Sequence, residues 1–138
     1  MSSHAYIGIK EGTTIRAIYC HYDGYISEVG IKLKKYYKDL ATVTKLIDLG
    51  SISMLGSTIG EKVDFDKYTS FINMYELEKS GKQLQTVAYH RDRGESLEIL
   101  DFDSVNSYIE FAKSEGDIYL YDKVWYHYDE DNNSFSRY

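Results

Sequence analysis

The chain has 138 residues and a formal net charge of -6, from 16 Lys and Arg against 22 Asp and Glu. Its length accommodates one domain, and 43% hydrophobic with 28% charged residues is a globular balance that excludes a disordered or collagen-like chain. The negative charge disfavours non-specific binding to nucleic acid or an anionic membrane, lone Cys20 excludes an intramolecular disulfide and a cysteine-based zinc site, and no apolar run nears the ~18–20 residues of a membrane span.

Met1-Ser2-Ser3-His4 lacks the basic-then-apolar pattern of a secretory signal, which points to the cytosol. Fifteen residues are tyrosine, against five Phe and one Trp. A tyrosine buries a ring while its hydroxyl still requires a partner, which suits core margins, subunit interfaces and pockets for planar ligands. The plainer alternative is substitution for Leu or Phe in a small core. Proline is absent, so the turns depend on Gly, Asn and Asp, as at Glu11-Gly12, Asp23-Gly24 and Asn132-Asn133.

Ile7 and Ile9, then Ile15, Ala17 and Tyr19, alternate with polar or small neighbours and predict strands over 5–10 and 14–21, joined as a hairpin. After Asp23-Gly24 the period becomes helical: Val29, Leu33, Tyr36, Tyr37 and Leu40 form one stripe with Ser27 as cap, and Lys32, Lys34, Lys35 and Lys38 take the other face. A second helix over 42–49 turns Val43, Leu46 and Ile47 inward and stops at Gly50. Ser51 to Gly56 reads as one tight turn anchored by Ile52 and Leu55, and residues 57–64 as a loop. Tyr68, Phe71, Ile72 and Tyr75 predict a third helix, capped by Asp64 or Asp66 and ended by Ser80-Gly81.

Residues 83–90 return to a period of two, with Val87 and Tyr89 on one face. Helix four spans 104–114, capped by Asp103 or Ser104, with Val105, Tyr108, Ile109 and Ala112 as its buried stripe. Ile118 to Tyr121 and Val124 to Tyr128 form a terminal hairpin. The order ββ-αα-α-β-α-ββ predicts a single α+β domain: a mostly antiparallel sheet built from two hairpins and a lone strand, with helices packed on one face. Residues 5–128 are its core and 129–138 a frayed polar tail.

His21-Tyr22-Asp23 and His90-Arg91-Asp92 both read H-x-D at the ends of predicted strands. In extended backbone, residues two apart point the same way, so each fragment presents an imidazole with a carboxylate, and adjacent strand ends would gather both pairs in one cleft. Such a set serves acid–base chemistry, a divalent metal or a ligand-binding rim, while the bland reading is solvated turns. Arg91 and Arg93 would face away from His90 and Asp92. With Gly94 and Glu95 beside them they form either a phosphate clamp or a self-paired sheet edge.

Gly56-Ser57-Thr58-Ile59-Gly60 is neither a Walker loop nor a Rossmann turn, so ATPase and dehydrogenase chemistry are excluded and no cofactor is expected. Cys20 and His21 face opposite sides of a strand, which makes a poor nucleophile pair, and Ser51, Ser53 and Ser57 lack a nucleophile elbow. Trp125 fits a core strand better than a base-stacking platform.

Several separated motifs occur in order. They are Tyr6-Ile7-Gly8-Ile9-Lys10, Ile15 through Tyr25, Val29-Gly30, Leu49 through Ser53 with Leu55-Gly56, and Ala88-Tyr89-His90-Arg91-Asp92-Arg93-Gly94-Glu95. Over most of residues 5–126 the chain resembles a family of small uncharacterised proteins from bacteriophages and prophages. It departs from that pattern at Ile26, where a proline is usual, and over 65–85, which is longer than the usual connection. The resemblance implies a phage accessory protein acting in the host cytoplasm, a class that often counters host defence.

On that footing the first expectation is a non-enzymatic binder that sequesters a small anionic, nucleotide-type host signal. His21, Asp23, Tyr25, His90, Arg91, Asp92, Arg93 and Glu95 would line its site, tyrosines would stack on the base, and a homodimer would close it. The alternative is a protein-binding inhibitor of a host defence effector, in the manner of anti-CRISPR proteins. A third possibility is metal-dependent cleavage of a cyclic nucleotide by His21, Asp23, His90 and Asp92.

Overall fold

The computed structural model describes residues 4–68 and 84–138. The expected first hairpin forms from β1 (Ala5–Glu11) and β2 (Thr14–Cys20), antiparallel with Ile7 opposite Ile18. The helix expected from Val29 to Leu40 is divided. A π-helical turn at Ile26–Gly30, without a Ser27 cap, leads into α1 (Ile31–Tyr36), and the backbone breaks at Tyr37 with φ -119° and ψ 71°. The break has a local cause: the Asp39 carboxylate accepts the Thr42 amide at 2.7 Å and starts α2 (Leu40–Asp48) afresh. Leu40 thereby leaves the apolar stripe for solvent, while Val29, Leu33 and Tyr37 stay buried. α2 buries Val43, Leu46 and Ile47 and ends before Gly50, whose φ of +75° is the conformation its sequence position predicts.

The tight turn expected at 51–56 is instead a strand, β3 (Ile52–Met54), parallel to β2 through Cys20 and Ile52. Three residues are too short a run for periodicity to reveal. α3 (Phe65–Tyr68) is the described beginning of the third predicted helix, whose positions Phe71, Ile72, Tyr75 and Ser80-Gly81 lie outside the described residues. The strand expected over 83–90 contracts to β4 (Val87–Ala88), paired with β3, and the chain then curls into a helical turn, α4 (Tyr89–Arg93), capped by Gly94 at φ +75°.

β5 (Leu100–Phe102), which lies outside the expected elements, pairs with the first half of β2. α5 (Val105–Ala112) begins where expected, with the Ser104 hydroxyl accepting the Ser107 amide at 3.1 Å. β6 (Asp117–Asp122) and β7 (Val124–Asp129) make the second hairpin around Lys123 at φ 66°. The tail expected to fray over 129–138 forms β8 (Ser134–Arg137) on β7, and the Tyr138 hydroxyl donates to the Gly30 carbonyl at 2.8 Å.

The strands join in one sheet, ordered β4-β3-β2-β1-β6-β7-β8 with β5 on β2. It is mostly antiparallel, with β1/β6 and β2/β3 parallel, and the class is α+β. The expectation of helices on a single face needs correction. Ala5, Ile7 and Ile9 join α1 and α2 residues in one core cluster, whereas Tyr6 and the alternate residues of β2 and β6 join Tyr108 and Ala112 of α5 in another. Period-two alternation places these clusters on opposite faces. Gly8 permits the α5 side: a Cβ there would lie 3.0 Å from the Tyr108 ring. Among the described residues no helix is long and apolar enough to cross a membrane.

Candidate functional site

β2 and β3 run parallel and stop together. The His21 and Tyr22 amides extend the pairing by donating to the Ile52 and Ser53 carbonyls, each at 3.0 Å, and Asp23 then turns the chain with φ 58°. Asp tolerates this left-handed conformation better than most residues. Beyond these carboxyl ends lies a hollow of about 460 Å³. The end of β2 contributes His21, Tyr22 and Asp23, and β3 with the residue after it contributes Ser53, Met54 and Leu55. Glu28, Val29 and Lys32 come from the following helical turns, while Phe65, Tyr89 and Arg93 close the far side.

Of the eight residues the sequence singled out, His21, Asp23 and Arg93 share this hollow. The convergence of two H-x-D pairs does not form, because His90 to Asp92 lies in α4 and successive helical residues are rotated by about 100°. His90 is exposed, with its Nδ1 2.7 Å from the Glu95 carbonyl oxygen, and Asp92 is buried. Arg91 does not face away from Asp92 but binds it, Nε to Oδ1 at 3.0 Å, so Arg91 is committed to that pair rather than to a phosphate clamp with Arg93. Arg93 and Glu95 pair at 3.4 Å, and Tyr25 is exposed outside the hollow.

Tyr22, Lys32, Phe65 and Tyr89 line the hollow although their sequence pattern does not mark them as site residues. By spacing, Lys32 is one of several lysines on an outer helix face, and Tyr89 belongs to the buried side of a strand. No local pattern marks residues that converge only through the crossover from β2 to β3.

The rings and cations of the hollow are held in defined contacts. The Phe65 and Tyr89 centroids are 5.5 Å apart, and the Arg93 guanidinium lies 5.0 Å over the Phe65 ring. Lys32 Nζ donates to the Leu55 carbonyl at 3.3 Å and is 3.8 Å from Glu28. His21 packs edge-on to Tyr22 at 4.5 Å and stacks on His4 at 4.7 Å, and burial, reinforced by the His4 imidazole, lowers its pKa. Burial raises that of Tyr89 against an opposing hydrogen bond from Ser53.

The hollow thus sets four aromatic rings, those of His21, Tyr22, Phe65 and Tyr89, beside two cations, Lys32 and Arg93, and two carboxylates, Asp23 and Glu28. Burial pushes the Cys20 thiol up to about 12, so it is not a thiolate at neutral pH. Among the described residues no group of three or more His, Cys, Asp or Glu is arranged to hold a metal ion.

A broader depression of about 720 Å³ lies around the other end of the sheet, beside β6, β7 and β8. Glu115, Asp117, Asp129 and Glu130 there outnumber Lys113 and Arg137, and His127 is bound to Asp117 at 2.7 Å. Its lining is net acidic, whereas in the smaller hollow Lys32 and Arg93 balance Asp23 and Glu28. No protein-family model, curated protein or solved structure matches the chain.

Proposed function

We propose that the protein binds and sequesters a small, planar, anionic ligand of the nucleotide type in the hollow at the ends of β2 and β3, without chemical conversion. The observation that carries this reading is the meeting of Lys32 and Arg93 with the rings of His21, Tyr22, Phe65 and Tyr89 in one concavity. Its 460 Å³ falls within the roughly 300–1,000 Å³ typical of small-molecule sites. The resemblance of Ile15 through Tyr25 and Ala88 through Glu95 to phage proteins supports sequestration of a host signal in the bacterial cytoplasm as a counter to defence. The expected homodimer belongs to the same proposal.

The test is calorimetric titration with a panel of linear and cyclic nucleotides, followed by heat denaturation and recovery of the ligand. One panel member should bind and return intact. Lys32→Ala and Arg93→Ala should each weaken it about tenfold, the size of one lost charge-assisted contact. Recovery of a cleaved product, or no binding across the panel, would reject the reading. The protein-binding alternative draws on Tyr22, Tyr25, Ile26 and Ile31, large apolar side chains left exposed on one stretch of chain beside the hollow.

A further inference from the structure

We infer that Asp92, together with Arg91, is the positioning residue for the aromatic wall of the hollow, setting Phe65 and Tyr89 at the spacing in which they receive a planar ligand. The inference rests on the ligand reading above. Asp92 touches no ligand, since its side chain has 0% exposure. Its oxygens are divided between two segments of the wall. Oδ1 accepts the Val63 amide at 3.0 Å, two residues before Phe65, and Oδ2 accepts the Ala88 amide at 2.8 Å, one residue before Tyr89. One carboxylate thus ties together the two strands of chain on which the paired rings stand.

Arg91 completes the bracket. Its Nε and Nη2 reach the Asp92 oxygens at 3.0 and 3.1 Å, Nη2 also donates to the Thr86 carbonyl at 2.6 Å, and Nη1 donates to the Ile59 carbonyl at 2.9 Å. The loop before Phe65 and the segment before Tyr89 are therefore held twice, through amides by the acid and through carbonyls by the base. A guanidinium does this because its donors diverge in a rigid plane, which a lysine ammonium does not reproduce. Arg93 follows on the same helical turn, so the bracket also places its cation over the Phe65 ring. A loose supporting shell degrades a site even when every contact residue is present.

The experiment uses the full chain labelled with para-fluorophenylalanine, with the Phe65 fluorine resonance assigned through Phe65→Leu. In Asp92→Asn one amide loses its acceptor, and in Arg91→Lys the fork is lost. Both variants should shift or broaden the Phe65 resonance while those of Phe102, Phe111 and Phe135, which pack on the α5 side, stay in place. Both should also weaken adenosine monophosphate, used as the probe, by about tenfold or more. An unmoved Phe65 resonance in both variants would overturn the inference, and so would displacement of all these resonances together, which marks a general structural role. If the unsubstituted protein binds neither this probe nor any other member of the nucleotide panel, the ligand reading fails by itself while the fluorine spectra still decide the positioning of the ring.

Discussion

His21 ends its strand with one imidazole stacked on it and the Tyr19 hydroxyl 2.9 Å from its Nδ1. Burial disfavours adding a proton, and a second positive ring 4.7 Å away would disfavour it further. The sign follows. With the folded pKa below the ordinary ~6.5, the unfolded chain binds more protons as the pH falls through that range, so stability declines on acidification and is fully present above ~6.5. His21→Gln should therefore flatten the loss of stability below pH ~6.5, measured by urea unfolding at a series of pH values. An unchanged slope would place the acid sensitivity elsewhere. At this scale the sequence was informative about kind but not about company. His21 and Asp23 were legible because a strand end followed by a turn exposes polar side chains. The spacing of two misplaces Asp92 because it assumes extended backbone, and Gly94 allows a helical turn to close there instead.

The elements were most legible where the pattern was long. β1, β2, β6 and β7 alternate over six or seven residues each, and α5 carries both its cap and its stripe. β3, β4 and β5 have two or three residues, and only pairing with a neighbour makes them strands. The tyrosine excess also gains an explanation here. Tyr37, Tyr108, Tyr119 and Tyr138 donate to the carbonyls of Gly56, Tyr119, Gly24 and Gly30, and so pin connections onto the sheet. Close contact is as important as bonding where α5 meets β1. Gly8→Ala would put a methyl 3.0 Å from the Tyr108 ring and 3.1 Å from Ile15, within the sheet. A loss of about 1–3 kcal/mol is expected in denaturant unfolding, with an unchanged midpoint arguing that α5 shifts freely.

The molecule as a whole is built around β1 and β6, whose parallel pairing unites two hairpins from opposite ends of the chain. The C-terminal segment then matters to the interior, because Tyr138 packs against the α1 side of the core and bonds the turn at Gly30. Ending the chain after Asn133 removes β8 and this ring together. Thermal unfolding should fall by at least ~5 °C, equivalent to roughly 1–2 kcal/mol for a domain of this size. A frayed tail would leave the midpoint unchanged.

The α+β class, the two hairpins and the caps of the longer helices follow from periodicity and from side chains acting on backbone a few residues away. Those forces are local, and a single sequence displays them. Which strands lie parallel, which face each helix covers and which polar groups meet at the ends of β2 and β3 depend on contacts between residues distant in the chain. Lys32, Phe65 and Arg93 have no relation in sequence, and it is the crossover to β3 and the buried Asp92 bracket that bring them to one hollow.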